Sequence, residues 1–239
     1  FLLGLGDQSV VSNVAVFGRM KSTGGGVGLV AGILQRSVLK GCVTGGTVIG
    51  VDLIAGIVGS GTGLQMDSCL TTAVVIPSRG SDIYDGGFIG YGSSAVVTDS
   101  LAAGYNHNGV VDIGTFGELI NSYWVNDLSK YSGASTDTNS YGASLFEVKC
   151  TVAANDDGCS ANRLFDGLDQ KMNAQGQPYW DFGTAAQLPA IYIAGRWFRD
   201  SDGDGAFDHS DDFPNNIEVS QDSDGDGFVD AWRINCDQA

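Results

Sequence analysis

Along the first half of the chain, apolar and polar residues alternate in short runs that glycine interrupts every few positions. A period of two turns successive side chains to opposite faces of a strand, as in "VVTDSLAAG" (97–104 with Val96 ahead of it). The runs also share a layout. "GLVAGILQRSVLKGCVTG" (28–45), "GIVGSGTGLQMDSCLTT" (56–72) and "GFIGYGSSAVVTDSLAAG" (87–104) each open with glycine, two apolar residues and a small one, and each then alternates. "GTFGELINSYW" (114–124) reads as a fourth copy, and "VSNVAVFG" (11–18) as the back half of a copy without its front.

The opening glycines Gly28, Gly56, Gly87 and Gly114 lie 28, 31 and 27 residues apart. A unit of that length cannot bury its own apolar face, whereas stacked units share one continuous core. The pattern therefore predicts an all-β chain: a β-solenoid of four to five rungs, spaced by roughly 4.8 Å. A β-sandwich with glycine-rich hairpins is the alternative, but its strands need not repeat one word at near-constant spacing.

A different pattern governs the C-terminal stretch. In "DSDGDGAFDHSD", Asp200, Asp202, Asp204, Asp208 and Asp211 fall at positions 1, 3, 5, 9 and 12, with Gly205 at 6 and the Ala206 carbonyl at 7. That is the oxygen-ligand spacing of a calcium loop, and calcium takes six to eight hard oxygens. A second copy places Asp222, Asp224, Asp226 and Asp230 at 1, 3, 5 and 9, with Arg233 where the last acid would stand. His209 falls between ligand positions and is expected to face solvent. The divisions that follow are residues 1–198 for the solenoid with a capping segment and 199–239 for a helix-poor calcium module.

Composition narrows the classes. Glycine at 36 and proline at 4 suit short strands joined by tight turns. Of the net charge of −16, residues 200–239 carry twelve acids against one base, Arg233. An acidic chain lacks the basic footprint of nucleic-acid binding. No apolar run is long enough for a transmembrane helix, so no membrane insertion is expected.

The five cysteines form no C-x-x-C pair. Cys150 and Cys159 flank a polar loop that a disulfide would staple. Cys42 and Cys69 occupy equivalent places in neighbouring copies, either as a cross-rung disulfide or as two stacked thiols. Cys236 has no assigned partner. Abundant calcium ligands favour an oxidising, extracellular setting.

Two resemblances sharpen the expectation. "GGFIGYGSSAVVTDSLAAG" and "INSYW" resemble the GLUG repeat of bacterial surface and secreted proteins, and the likeness extends over roughly 11–195. It implies a right-handed β-helical stack and an extracellular place, with no assigned catalytic residues. Residues 199–232 are similar to bacterial-type thrombospondin type 3 repeats, with Phe213 where the animal form has cysteine. That likeness implies a module wound around its calcium ions.

No catalytic residues are assigned, since His107 and His209 lack recognisable partners. The expected function is an extracellular calcium-binding structural or adhesive protein, assembled as a homo-oligomer or fibre on a cell surface. The aromatic residues of 179–198 are expected to cap the open end of the solenoid. The alternative is a β-helix that binds or cleaves surface polysaccharide, for which Asp82, Asp85, Asp99 and Asp112 are the candidate acids.

Overall fold

The computed structural model describes residues 2–78, 84–105, 111–113, 117–125, 136–138, 140–149, 168, 171–184, 186–226, 228 and 231–232. The first rung consists of β1 (Leu3–Asp7) and β2 (Val10–Lys21). The second adds β3 (Gly25–Gly28), β4 (Ala31–Gln35) and the long β5 (Val38–Gly50). In the third stand β6 (Asp52–Ala55), β7 (Val58–Thr62), β8 (Gln65–Asp67), β9 (Leu70–Thr71) and β10 (Val74–Pro77). The fourth has β11 (Asp85–Gly86), β12 (Ile89–Ser93), β13 (Val96–Thr98) and β14 (Leu101–Ala102). Shorter strands continue the ladders: β15 (Val111–Ile113), β16 (Glu118–Ile120), β17 (Tyr123–Val125), β18 (Thr136–Thr138) and β19 (Tyr141–Ala143).

Strands from successive rungs pair in parallel and build three walls. The first is β1-β4-β7-β12-β15 and the third is β3-β6-β11. The largest runs through β2, β5, β8 and β9, then β13 and β14, and on to β16 through β19. The chain is thus mostly β, a solenoid of about three turns rather than the expected four to five rungs. Turns closed on all sides are limited by the third wall, which has three strands.

The repeat register differs from the expectation by one residue at its start. Ala31 pairs with Val58 and Val58 with Ile89, so Val30, Ile57 and Phe88 occupy one level position. Aligning the opening glycines Gly28, Gly56 and Gly87 sets Leu29 level with Ile57 and Phe88, but Leu29 packs instead with Val27 and Ile54 in a separate cluster. The true landmark is the next glycine, Gly32, Gly59 and Gly90. A Cβ on Gly59 would lie 2.2 Å from the Val27 nitrogen, and one on Gly90 2.7 Å from the Gly59 oxygen. Backbone approaches backbone there and leaves no room for a side chain. Gly28 carries an extra residue before that landmark, and this shifted the reading. The missing front of the first copy is also found: β1 pairs with β4, Leu3 opposite Ala31.

Two corners repeat in every rung with left-handed backbone. At the first, Gln8, Arg36, Gly63 and Ser94 have φ between 46° and 60°. At the second, Asn13, Gly41, Ser68, Asp99 and Asn121 lie between 46° and 58°. Non-glycine residues at such angles cost about 1–2 kcal/mol each, which the stacking of the walls must offset.

Just inside the second corner runs a hydrogen-bonded column. The Ser100 hydroxyl donates to the Thr98 carbonyl (2.8 Å) and accepts from the Cys69 N–H (3.0 Å). Ser122 repeats this with Ile120 and with the Ser100 N–H, and Ser140 accepts from the Ser122 N–H. Cys42 and Cys69 sit in the same column and donate their thiols to the Lys40 and Asp67 carbonyls. They are free, fully buried thiols, so the stacked alternative stands here rather than a disulfide. Burial pushes the Cys69 thiol well up, which keeps it protonated. Cys150, Cys159 and Cys236 lie outside the described residues.

The interior is filled by Leu34, Leu39, Ile57, Met66, Phe88 and Val97, all essentially without exposure. A second apolar cluster covers the outside of the large wall. There Val43, Leu70, Leu101 and Tyr123 meet a small antiparallel sheet of β20 (Trp180–Asp181), β21 (Ala190–Ile193) and β22 (Arg196–Phe198). The aromatic segment therefore lies along the flank of the stack, not over its end. Tyr179 presses on the second corner, where a Cβ at Gly41 would come within 2.9 Å of its ring.

Candidate metal centre

Directly after β22 the chain enters the first aspartate loop, which rests on the solenoid wall. Gly45 and Gly46 of β5 provide the seat. The Gly46 N–H donates to the Gly205 carbonyl, and a Cβ on Gly45 would lie 2.8 Å from that same oxygen. Gly205, with φ at +100°, makes the turn that position 6 requires and also fits this close contact. Phe207 fastens the loop: it is 1% exposed, with Phe17 at 5.8 Å, Phe198 at 5.3 Å and His209 stacked at 5.9 Å. His209 is exposed, as expected, but its ring lies on aromatic neighbours rather than free in solvent.

Within the loop each aspartate bends the backbone around itself. Asp200, fully buried, accepts from the Gly203 and Gly205 N–H groups at 2.7 and 2.9 Å. Asp202 Oδ1 accepts from the Asp204 N–H, and Asp204 Oδ1 from the Ala206 N–H. The carboxylates of Asp200, Asp202 and Asp204 converge, each offering an oxygen within 4.8 Å of the others. Asp202 is 3% exposed, and its Oδ2 makes no hydrogen bond of ordinary geometry, although the Asn216 N–H and the Asp200 side chain lie close enough to the carboxylate to favour its charged form. An orphaned buried carboxylate oxygen costs several kcal/mol unless a positive charge meets it.

The electrostatics agree with that cost. Burial, then the charge of Asp204, raises the Asp200 carboxyl well above the usual carboxylate range. Burial raises Asp202, and it pushes Asp211 up to about 6. Lys149, at the end of helix α1 (Leu145–Lys149), feels the attraction of Asp202 and Asp200, but its own burial holds it below the ordinary lysine value. It balances the cluster in part.

The outer predicted ligands are arranged differently. Asp208 spends both oxygens on Ser201, accepting from its N–H at 2.7 Å and its hydroxyl at 2.8 Å. Asp211 accepts from the Phe213 N–H. Asp200, Asp202 and Asp204 are thus brought together, while Asp208 and Asp211 shape the loop around them.

The second loop copies the first in miniature. Asp222 accepts from the Gly225 N–H at 2.8 Å, as Asp200 does from Gly203, and Asp226 accepts from the Phe228 N–H. Asp222, Asp224 and Asp226 also converge, but Asp224 and Asp226 are exposed. Asp230 lies outside the described residues. Sequence reading missed Asp212, whose Oδ2 accepts from the Asp222 N–H at 2.9 Å and ties the second loop to the first.

The polysaccharide alternative named four acids. Asp82 and the side chain of Asp112 lie outside the described residues. Asp85 belongs to the third wall and Asp99 to the second corner, where it is buried and paired with Lys171. Those two do not share a face. Among the described residues no helix is long and apolar enough to cross a membrane. Comparison with family models, curated proteins and solved structures finds no match.

Proposed function

We propose that this chain is a calcium-binding structural or adhesive module of an extracellular, bacterial-type surface or secreted protein. The orphaned, buried Asp202 Oδ2 amid the converging Asp200 and Asp204 carries this reading. Three clustered carboxylates with hard oxygen donors suit calcium rather than zinc or copper. Asp200, Asp202 and Asp204 would hold the first ion, and Asp222, Asp224 and Asp226 a second. The ion supplies charge neutralisation and no reaction step. In this reading the repeats are GLUG-like, the acidic loops are of thrombospondin type 3 kind, and the stack has the right-handed sense of nearly all parallel crossovers.

The solenoid then serves as a spacer and the acidic loops as an ion-dependent joint. End-to-end assembly through further copies is part of the proposal, supported by Leu5, Val10 and Phe17 standing exposed on the first rung. Calorimetric titration of the whole chain with calcium after EDTA treatment tests the ion. Heat corresponding to at least one site is expected, and no binding at millimolar calcium overturns the reading. Light scattering tests the assembly: one monomer mass with calcium and with EDTA at high protein concentration removes the fibre.

A further inference from the structure

The first acidic loop sits over one column of the large wall, and the residues of that column differ in kind. Register places Phe17 opposite Gly45, and the pairings of Thr44 with Thr71 and of Leu70 with Leu101 carry the column on through Thr72 and Ala103. Phe17, Ala103 and the neighbouring wall residues Val43, Leu70 and Leu101 are apolar, as suits a wall covered by an apolar layer. Gly45 removes a side chain where the loop touches down. Thr72 alone in that column from Phe17 to Ala103 places a hydroxyl there.

That hydroxyl is unusual in two ways. Thr72 is fully buried, and its Oγ1 makes no hydrogen bond of ordinary geometry. It nonetheless lies close enough to Asp200 to favour that carboxylate's charged form. The Thr72 carbonyl is 3.4 Å from the position a Cβ on Gly205 would take, so loop and rung are in contact at this point. Its N–H is held by the Thr44 carbonyl at 2.9 Å, which fixes the residue to the wall. The Thr72 hydroxyl, which has Asp200 as its near neighbour, and the buried Asp202 Oδ2 thus both belong to the surroundings of the same carboxylate.

We infer that Thr72 is the solenoid's own contribution to the cation site, its hydroxyl supplying a neutral oxygen beside Asp200, Asp202 and Asp204. The inference rests on the proposed calcium binding. The site is then composite: the loop brings the charge and the third rung brings the neutral oxygen. An ion bound there fastens loop to wall, which a site made of loop residues alone would not do. A neutral oxygen also adds coordination without adding repulsion to three carboxylates already too close together.

The test uses the whole chain with calcium chloride as the probe. Thr72→Val keeps the shape and removes the hydroxyl, and Thr72→Ser restores it. Calorimetry should find calcium affinity about tenfold weaker in Thr72→Val and recovered in Thr72→Ser. Equal affinity in wild type and Thr72→Val, with wild type binding, overturns the inference and leaves the calcium reading intact. No binding by wild type overturns the calcium reading itself. Hydrogen exchange on unmutated protein gives a second readout that survives any misfolding of the variant. Calcium should slow exchange of the Gly46 N–H, which bonds to Gly205; slowing confined to the Gly225 N–H of the second loop overturns the composite site.

Discussion

The two aspartate loops share the word "DSDGDG", and they share the hydrogen bonds that word forms, yet one is buried and the other exposed. Asp200 and Asp202 are buried in a loop that seats on β5 through Gly205, whereas Asp224 and Asp226 face solvent. Local sequence therefore sets the turn, and the neighbours set what the turn is worth. Exposed carboxylates are solvated and repel weakly through water. Buried ones keep their repulsion and lose their hydration. On the proposed calcium reading, the first loop gains most from a cation and the second merely accommodates one.

The largest expected effect breaks the docking of the first loop. Phe207→Ala removes a fully buried ring and should cost about 3–5 kcal/mol in denaturant unfolding. Phe228, 75% exposed in the second loop, should change stability by less than about 0.5 kcal/mol when truncated. Equal effects from the two would erase the contrast between the loops.

The next sharpens it through a change of sign. Asp202→Asn removes one buried negative charge. In EDTA the variant should be more stable than wild type by about 1 kcal/mol, since repulsion is relieved. In calcium at a hundredfold over its dissociation constant, wild type should gain about 2.7 kcal/mol and the variant far less. Thermal melts under both conditions check this. Asp224→Asn should show neither the gain nor the loss at comparable size. A variant ordering that is the same with and without calcium would sink the argument.

Much of this was legible in the sequence, and the failures have physical causes. Alternation and repeated glycines gave the parallel stack, because a rung must present the same face to the rung above it. The misplaced Leu29 arose because three residues separate Gly28 from Gly32 while two separate Gly56 from Gly59 and Gly87 from Gly90; both glycines of the segment are pressed by backbone, and only the strand register shows which one is level with Gly59 and Gly90. The corners were hidden for a different reason: Arg36, Ser68 and Ser94 adopt left-handed angles that their residue types do not advertise. The ligand spacing located the aspartate clusters. It could not separate Asp200 from Asp208, because Ser201 captures both Asp208 oxygens and nothing in the spacing predicts that. Nor could it foresee burial of one loop and exposure of the other, which depends on Gly45 and Gly46 lying under Gly205, some 160 residues away along the chain.

The smallest expected effect concerns Asp212, which falls outside the ligand spacing and still links the loops. Its Oδ2 accepts from the Asp222 N–H at 2.9 Å in an exposed setting. A hydrogen bond of this kind, to a charged acceptor in contact with water, contributes on the order of 1 kcal/mol at most. Asp212→Ala should therefore leave the melting temperature of the chain nearly unchanged. Its effect should be local: exchange of the Asp222 N–H should quicken several-fold, and calcium affinity at Asp222, Asp224 and Asp226 should fall by less than about tenfold. The first site should be untouched, because Asp200, Asp202 and Asp204 are held by their own backbone turns and by the wall beneath them. If Asp212→Ala weakens both sites equally, the loops act as one unit, and the difference in burial between them does not divide their roles.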